Sequence, residues 1–321
     1  MRPARQFRRL FPSLFDNEDE TKPNLFMIRS ALFILGGDYH LGDLLWFTAV
    51  LGEYRRVNRP RLLMVNVPDR AVNRILEHNP TIDELSYSRP DVARADAVGR
   101  FGGEVVVHDL RPVPIAFDMI SQWRQRMPWL YYRDLWLEAR GQWLATYLGL
   151  GLMQEHRPHL GLVEDDFSVA RQLPEKYILL APHVGSYSVP LLAWGWQRLK
   201  GWPNDRWTAL AAALRKEGLD SYTLGAAVQA VVPGTKGLIG LPIRQVAGVV
   251  DQASALVTVE SGLWFVASAL GVPFIIVRWW LPRSVDWTGA CGVPHARIFS
   301  DDDSVGTVIS ELHRVVSHVA A

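Results

Sequence analysis

Residues 31–68 read ALFILGGDYHLGDLLWFTAVLGEYRRVNRPRLLMVNVP. A short apolar run at 31–37 is followed by a longer helical pattern at 43–56 and by a second apolar run at 61–68. Short apolar runs that alternate with helical patterns are typical of βα units, whose strands lie parallel in one sheet. This stretch therefore predicts a strand, a helix and a second strand parallel to the first.

The same alternation continues along most of the chain. In the first half it predicts a helix at 69–78 and strands at 84–88 and 104–110. In the second half it predicts strands at 177–183, 221–225, 255–261 and 273–280, and helices at 206–218, 243–253, 262–271 and 304–320. Between the halves, an arginine-rich and aromatic helical insertion is predicted at 115–150 and a polar linker at 159–176. The predicted fold class is α/β, with two Rossmann-like domains.

The predicted domain organisation has four parts. They are an N-terminal extension at 1–30, a first Rossmann-like domain with the insertion at 31–170, a second at 171–303, and a closing helix at 304–321. A length of 321 residues exceeds one ordinary core and suits two. With 49% hydrophobic and 21% charged residues, the chain has the composition of a globular protein and not of a disordered one.

Charge and cysteine content exclude several classes of function. The net charge is only +1, so no global basic field is available and no nucleic-acid partner is expected. A single cysteine, Cys291, excludes an internal disulfide and a cysteine-based zinc site. The acidic run at 301–303 is expected to cap the last helix and not to bind a metal. A cytoplasmic location is expected.

The N-terminal extension has a mixed basic and aromatic pattern. Apolar residues at helical spacing lie among arginines in MRPARQFRRLFPSLF, residues 1–15. Such a pattern suits weak contact with an anionic membrane surface, here the inner face of the membrane. Pro12 would interrupt a continuous helix, so a tail packed on the protein body is the competing interpretation. Neither a secretory signal nor a transmembrane segment is expected, because polar residues 17–20 follow and no apolar run is long enough.

The loop between the first strand and the first helix, 36–43, is the first candidate site. Ligands of parallel sheets bind where strands end and helices begin, and the three glycines of this loop allow close approach to the backbone. Asp43 stands at the start of the helix, where it suits either an N-cap or a general base at a cleft. From these residues alone both roles remain open. Asp38 and His40 are further candidates for the base.

A second candidate site follows the strand predicted at 255–261. Glu260, Ser261 and Gly262 precede an apolar helix whose N-terminus can receive a phosphate. Glu260 can also accept hydrogen bonds from ribose hydroxyls. Lys200, in the stretch RLKGWPNDRW, suits a phosphate-binding charge, and equally suits a solvated surface.

Four segments of the chain match the motifs of one enzyme family. They are LGDLLWFTAVL (41–51), similar to G-D-x-L-x-x-x-P; RLLMVNVPDRAVNRILEHNPTIDEL (61–85), similar to a strand, a helix and N-P-x-[IV]-D; YILLAPHVGS (177–186) with LKGWPNDRWTALAAAL (199–214), similar to P-G and K-x-W-P; and QVAGVVDQASALVTVESGLWFVASALGVPFIIV (245–277), similar to D-S-G-x-x-H-x-A-x-A-x-x-x-P. In this order, over residues 31 to 281, they resemble glycosyltransferase family nine, the ADP-heptose:lipopolysaccharide heptosyltransferases and their relatives.

The resemblance implies a GT-B fold, in which two Rossmann-like domains face each other across a cleft that holds the active site. It implies an inverting, metal-independent glycosyltransferase that moves a sugar, a heptose or a related one, from a nucleoside diphosphate donor to an acceptor hydroxyl. No cofactor is implied, because the nucleotide sugar is a substrate, with an ADP-sugar favoured. The acceptor would be a glycan, a lipid-linked sugar or a small molecule.

The resemblance also assigns roles to individual residues. Asp43 takes the position of the base that deprotonates the acceptor. The donor side takes Lys200, Glu260, Ser261, Gly262, Leu263, His183 and Gly185. The acceptor side takes Gly42, Asp38, His40, Arg124 and Arg126. Guanidinium groups beside aromatic rings suit an anionic acceptor, although the same arginines equally suit a solvated helix face. No metal ligand is assigned.

The chain departs from the family's pattern at several positions. Glu260 stands where the family has an aspartate, Phe265 where it has a histidine, and Ala49 where it has a proline. The stretch SYSVPLLAWGWQR, 186–198, is expanded. These departures predict a divergent member of the family whose donor or acceptor differs from that of the core lipopolysaccharide enzymes. Two other functions remain open, a sugar-nucleotide epimerase or hydrolase of similar fold and a non-catalytic scaffold that binds nucleotide sugars.

Overall fold

The computed structural model describes residues 30–37, 39–111, 144–145, 148–150, 153–183, 200–279 and 292–318. Within these ranges the chain forms two parallel β-sheets, and α-helices pack against both. The N-terminal extension and nearly all of the predicted helical insertion lie outside the described residues. Two α/β domains with parallel sheets confirm the predicted fold class.

The first domain contains a four-stranded sheet. Its elements are β1 (Ser30–Ile34), α1 (Leu41–Asn58), β2 (Leu62–Asn66), a 3-10 helix (Ala71–Leu76), β3 (Glu84–Ser86), α2 (Pro90–Phe101), a 3-10 turn (Gly102–Glu104) and β4 (Val105–Asp109). The strand order is β3-β2-β1-β4, and each pair is parallel. Leu32 of β1 lies opposite Met64 of β2 and Val107 of β4. This register brings the carboxyl ends of all four strands to one edge.

The second domain contains a six-stranded sheet. Two 3-10 helices, Glu164–Phe167 and Ala170–Gln172, precede it. Its elements are β5 (Tyr177–Ala181), α3 (Asn204–Lys216), β6 (Asp220–Gly225), β7 (Lys236–Ile239), α4 (Ile243–Asp251), β8 (Ala255–Thr258), α5 (Leu263–Leu270), β9 (Phe274–Trp279), β10 (His295–Phe299) and α6 (Val305–Ser317). The order is β10-β9-β8-β5-β6-β7, again with parallel pairs.

The central strands β1 and β5 consist mostly of apolar residues, which suits strands covered by helices on both faces. All five residues of β1 and of β5, SALFI and YILLA, are buried. Strands of parallel sheets are buried in this way when helices cover both faces, which is why these segments read as continuous apolar runs. The helix predicted at 69–78 is instead a 3-10 helix at Ala71–Leu76, a correction to the sequence interpretation. Elements α2, β7 and β10 were not anticipated.

The two domains share one apolar core. A single cluster of buried side chains includes Phe33 and Trp46 of the first domain and Trp264 and Phe274 of the second. Helix α1 packs against α5 where this cluster crosses between the domains. In the part of the chain that the structure describes, no helix combines the length and apolarity needed to span a bilayer.

Candidate functional site

Asp43 lies in the first turn of α1 with its carboxylate directed back to the helix start. Its Oδ2 accepts a hydrogen bond of 3.0 Å from the backbone N–H of His40. The N-cap is His40, and Asp43 is the third residue of the helix, so the predicted N-cap position is corrected by three residues. The carboxylate nevertheless satisfies a backbone donor that no helical carbonyl can reach. Asp43 is buried, with 8% of its surface exposed.

The loop after β8 forms the facing side of the site. Thr258, the last residue of β8, is fully buried, and its hydroxyl lies 3.1 Å from the hydroxyl of Ser261. The Ser261 hydroxyl also accepts a 3.4 Å hydrogen bond from the backbone N–H of Leu263, the first residue of α5. These bonds fix the turn that joins the strand to the helix. The amide groups at the start of α5 therefore lie at the carboxyl edge of the sheet, where anions bind to parallel α/β proteins.

Lys200 and Glu260 form an ion pair beside this turn. The Lys200 Nζ donates to Glu260 Oε2, and each residue is only 6% exposed. The backbone after Lys200 is held in place, because Gly201 accepts a 2.7 Å hydrogen bond from the Arg278 guanidinium through its carbonyl oxygen. Two residues that the sequence assigned separately to the donor side therefore contact each other.

The starts of α1 and α5 touch across the domain boundary. A Cβ placed on Gly262 would lie 2.9 Å from Leu41 Cβ and 3.2 Å from the Gly42 amide nitrogen. A Cβ placed on Gly42 would lie 2.8 Å from Cε2 of Phe265. Neither position has room for a side chain, so both glycines are required by close approach. Asp43, one residue from Gly42, therefore lies at the contact between the domains.

Three aromatic side chains, Trp46, Trp264 and Phe265, pack together beside this contact. The ring of Phe265 lies 5.5 Å from the ring of Trp46 in an edge-to-face arrangement and 3.6 Å from the ring of Trp264 in a stacked one. The edge-to-face pair with Trp46 has one of the geometries that aromatic rings favour. Phe265, at the position where the family pattern has a histidine, thus packs in the core between the domains.

Comparison with solved structures shows the same fold in several proteins. A family 9 glycosyl transferase from Veillonella parvula matches with a TM-score of 0.64 at 16% identity, over 91% of this chain and 98% of that one. ADP-heptose lipopolysaccharide heptosyltransferase II of E. coli matches with 0.59 at 16% identity, over 91% and 100%. The iron-containing dodecameric glycosyltransferase TibC of enterotoxigenic E. coli matches with 0.58 at 19% identity, over 89% and 76%.

The chain has the fold of the family 9 glycosyltransferases. No protein-family model matches the sequence, and no curated protein matches it either. The resemblance found in the sequence motifs is therefore confirmed at the level of the fold, at identities low enough to make this chain divergent. The facing of two α/β domains across the α1–α5 contact is the GT-B arrangement that the resemblance implied.

The remaining predicted site residues are placed as follows in this glycosyltransferase fold. His183, after β5, has its Nε2 2.8 Å from the carbonyl oxygen of Ala230 in the loop after β6. His40 is exposed, and its backbone binds Asp43. The residues Gly185, Asp38, Arg124 and Arg126 lie outside the described residues. The structure thus brings together Gly42, Asp43, Lys200, Glu260, Ser261, Gly262 and Leu263.

A buried arginine that the sequence interpretation missed links the domains on another side of the interface. Arg244 of α4 pairs with Asp166 through two hydrogen bonds, the Nε one being 2.9 Å. The same guanidinium donates to the carbonyl oxygens of Glu77, at 2.5 Å, and Gly161, at 2.9 Å. It therefore joins the first domain, the linker and the second domain. No local motif marks this arginine, because its partners lie far away in the sequence.

Burial and neighbouring charges shift the pKa values of several groups on α1 and β4. Burial lowers the pKa of His108 to about 4 and raises the pKa of Tyr54, whose hydroxyl lies 2.9 Å from His108 Nε2, to about 12. The Arg56 guanidinium beside Glu53 holds the pKa of that carboxyl below its usual value. These groups lie on the body of α1 and on β4, away from the start of α1, so they are not part of the candidate site.

The described residues also bear on metal binding. Within the ranges that the structure covers, no three His, Cys, Asp or Glu side chains are grouped as metal ligands would be. Asp303, in the acidic run, pairs with Arg206, and its carbonyl oxygen accepts a 3.0 Å hydrogen bond from the Trp202 indole. Helix α6 is capped by Ser304, whose hydroxyl accepts from the Thr307 N–H at 3.1 Å. The predicted capping role of 301–303 is therefore corrected to Ser304.

Proposed function

We propose that this protein is a glycosyltransferase that moves a sugar from a nucleoside diphosphate donor to an acceptor hydroxyl. The observation that carries the proposal is the contact between the starts of α1 and α5, which brings the segment of the Asp43 carboxylate against the loop of Glu260, the residue that pairs with Lys200. Solved proteins of this fold support the donor class. E. coli WaaC was solved with ADP, and TibC with ADP-D-β-D-heptose. An ADP-sugar is the favoured donor, with a heptose or a related sugar.

The donor side of the proposed site lies on the second domain. The amide groups that begin α5, at Gly262 and Leu263, and the Lys200 ammonium supply positive charge to the diphosphate. Ser261 offers a hydrogen-bonding hydroxyl to the sugar or ribose hydroxyls, and Glu260 takes part on the donor side through the Lys200 ammonium that it binds. His183 follows β5, the strand next to β8, at the same edge of the sheet, and Gly185 is proposed to bind the donor with it. Nucleotide recognition at this edge is the general rule for open parallel sheets.

The proposed reaction is a single in-line displacement that inverts the anomeric carbon. The acceptor oxygen forms a bond to that carbon while the bond from the carbon to the diphosphate oxygen breaks. The proton of the acceptor hydroxyl passes to the Asp43 carboxylate, and the bonding electrons leave with the diphosphate. Lys200 and the α5 amides stabilise the charge that develops on the leaving group. Contact between the domains supplies the alignment of the two reactants.

The acceptor side of the proposed site lies on the first domain, next to Asp43. Gly42 and His40 belong to it, together with Asp38, Arg124 and Arg126. A glycan, a lipid-linked sugar or a small molecule would suit it, and an anionic acceptor would pair with the arginines. We further propose a cytoplasmic enzyme that contacts the inner face of the membrane weakly through residues 1–30. The domain boundaries proposed are 31–170, 171–303 and 304–321.

The proposed chemistry uses no cofactor and no metal, because Lys200 and backbone amides provide the positive charge at the leaving group. TibC is described as iron-containing, so this part of the proposal needs its own test. Transfer measured before and after treatment with a strong chelator provides it. Equal rates support metal independence, and loss of transfer that added iron restores contradicts it.

A panel of nucleotide sugars tests the proposed function. ADP-, GDP- and UDP-linked heptoses and hexoses are incubated with the protein, and the nucleotide and sugar products are separated by chromatography. Transfer to an added acceptor, or slow release of nucleoside diphosphate with free sugar, supports the proposal. An isomerised nucleotide sugar would instead indicate an epimerase. Binding without chemistry across the whole panel would indicate a scaffold.

A further inference from the structure

The ion pair between Lys200 and Glu260 is buried more deeply than a phosphate-binding lysine requires. Both side chains are 7% exposed, and the pair lies at the carboxyl edge of the second sheet. Removing two charges from water is costly, and replacing a buried pair by apolar side chains is often neutral or stabilising. Burial alone is therefore weak evidence that this pair serves stability. Its position beside the start of α5 suggests a role in ligand binding.

The backbone on each side of the pair is held firmly. Trp202, two residues after Lys200, is 2% exposed and donates its indole N–H to the Asp303 carbonyl oxygen at 3.0 Å. Glu260 lies between Val259, which is fully buried, and Ser261, whose hydroxyl bonds to Thr258. These contacts anchor the backbone near Lys200 and Glu260. A change of partner is therefore expected to involve the two side chains.

We propose that Glu260 competes with the donor diphosphate for the Lys200 ammonium. In the ligand-free protein Lys200 is paired with Glu260, and the diphosphate must draw the ammonium away from this carboxylate when it binds at the start of α5. After transfer, Glu260 pairs with Lys200 again and promotes release of the nucleoside diphosphate. The inference rests on the proposed function, and it makes Glu260 a positioning residue that acts through Lys200.

Charge supports this competition. Glu260 and the diphosphate are both anions, so their proximity in the bound state is unfavourable unless a cation lies between them. A lysine ammonium has three donors and can contact both anions, but each contact weakens the other. Coupling of this kind between two sites is typically 5- to 150-fold in affinity. Neutralising Glu260 should therefore tighten nucleotide binding, the opposite of what loss of a ligand contact would do.

A double-mutant cycle on ADP affinity tests the inference. Isothermal titration measures ADP binding to the wild type, Glu260→Gln, Lys200→Met and the double variant. We expect Glu260→Gln to bind ADP on the order of ten-fold more tightly and Lys200→Met to bind it more weakly. In the Lys200→Met background only the direct repulsion between Glu260 and the diphosphate remains, so Glu260→Gln should tighten ADP binding by a clearly different factor than in the wild type. Weaker binding by Glu260→Gln, or an equal effect with and without Lys200, would overturn the inference.

Steady-state kinetics and a matched control variant distinguish competition by Glu260 from a purely structural role of this residue. With donor and acceptor, Glu260→Gln should lower KM and kcat together, because the product diphosphate leaves more slowly. The control is Glu53→Gln, which removes a buried carboxylate that also pairs with a cation, Arg56, in the first domain. It should change the melting temperature and leave ADP affinity unaltered. A loss of ADP affinity in this control as large as any change in Glu260→Gln would contradict a specific role.

Two further measurements keep the outcome clear. Should Glu260→Gln fail to fold, Glu260→Asp keeps the charge on a shorter arm and should tighten ADP binding by a smaller factor. Weaker binding by Glu260→Asp would overturn the inference. Inorganic pyrophosphate serves as a second probe for the wild type. A wild type that binds neither ADP nor pyrophosphate would refute the proposed donor site itself, whereas binding with no response to Glu260 would refute only the competition.

Discussion

Gly42 and Gly262 lie backbone against backbone across the domain boundary, since a Cβ on Gly262 would be 3.2 Å from the Gly42 amide nitrogen. Both backbones have ordinary conformations, so it is the space and not the dihedral angles that requires glycine. Any side chain here would separate the starts of α1 and α5. The close approach of Asp43 to the loop after β8 therefore depends on glycine at both positions.

Gly262→Ala should weaken this contact. The added methyl would meet Leu41 Cβ at 2.9 Å and the backbone of Gly42, which cannot move aside as a flexible side chain would. Overpacking of this kind costs about 1–3 kcal/mol in free energy of unfolding, and we expect a clear loss of glycosyl transfer. Urea denaturation and transfer assays provide the measurement.

The control for that change is Gly99→Ala in α2, where nothing lies within 4 Å of the added methyl. Alanine is favoured over glycine inside a helix, so this variant should be unchanged or more stable by about 0.5–1 kcal/mol. Equal stability and activity of the two variants would refute the steric account of the interface.

A paired substitution tests the contact from the other side. In Gly42→Ala the new methyl meets the Phe265 ring at 2.8 Å, so the variant should be destabilised. Phe265→Leu removes part of that ring and should offset the clash, which makes the double variant more stable than the sum of the single changes by about 1 kcal/mol. Additive free energies of unfolding would contradict direct contact between these residues.

Arg244→Met should strongly destabilise the protein. It would leave Asp166 as a buried carboxylate without its cation and leave the carbonyl oxygens of Glu77 and Gly161 without this donor. Breaking a buried ion pair by removing one partner costs about 3–5 kcal/mol in free energy of unfolding. Chemical denaturation measures the change.

The comparison for Arg244 is Arg171→Met, which removes one side of an exposed ion pair with Glu164 in the same linker region. Exposed pairs contribute at most about 1 kcal/mol. Addition of Asp166→Asn to Arg244→Met should restore part of the lost stability, because the buried charge is then removed. If Arg171→Met and Arg244→Met lowered the free energy of unfolding by similar amounts, Arg244 would not act as a link between the domains.

The free energy of unfolding should fall as the pH is lowered from about 6.5 to about 4, the range between the unfolded and folded pKa values of His108. The pKa of His108 is lowered from 6.5 to about 4 by burial. Between these values the unfolded chain binds a proton that the folded protein does not, so the free energy of unfolding rises with pH and is lost as the pH falls. The whole range corresponds to about 3 kcal/mol.

His108→Gln should flatten that dependence. His156 and His159, whose pKa values burial also lowers, contribute in the same direction, so the slope should decrease without vanishing. Thermal unfolding of both proteins at a series of pH values measures the difference. Loss of the Phe33 stacking contact lowers stability at every pH and does not alter the slope. Parallel curves for the two proteins would contradict a buried neutral imidazole.

Most of the fold follows from the sequence because buried parallel strands leave a strong signal. Strands β1, β5 and β8 are buried along their whole length and mostly apolar, and each was predicted within three residues at either end. Helix α2 was missed because only Ala93 and Ala97 are buried on it, which leaves almost no helical apolar pattern. Strand β10 was missed because HARIF alternates at the sheet edge and carries two polar residues.

The candidate site was predictable in its parts and not in its contacts. Asp43 and Glu260 follow from the rule that ligands bind where strands end and helices begin. The pairing of Lys200 with Glu260 does not follow from any local pattern, because the two are 60 residues apart and Lys200 precedes a helix instead of ending a strand. The role of Phe265 in the interface was likewise hidden, since only the packing against Gly42 and Trp46 reveals it.

The central claim is that Asp43 removes the proton of the acceptor, and Asp43→Asn tests it with little change in structure. The asparagine carbonyl oxygen can still accept the His40 N–H, so the helix start is preserved while the base is lost. The matched control is Asp91→Asn, which alters an exposed aspartate in the first turn of α2.

The most direct measurement is single-turnover glycosyl transfer together with ADP affinity, for the wild type, Asp43→Asn and Asp91→Asn. The account predicts that Asp43→Asn loses transfer by a factor of about 10²–10⁴, the usual contribution of a general base, while it binds ADP as the wild type does. Asp91→Asn should match the wild type in both. Transfer by Asp43→Asn at the wild-type rate would contradict the account.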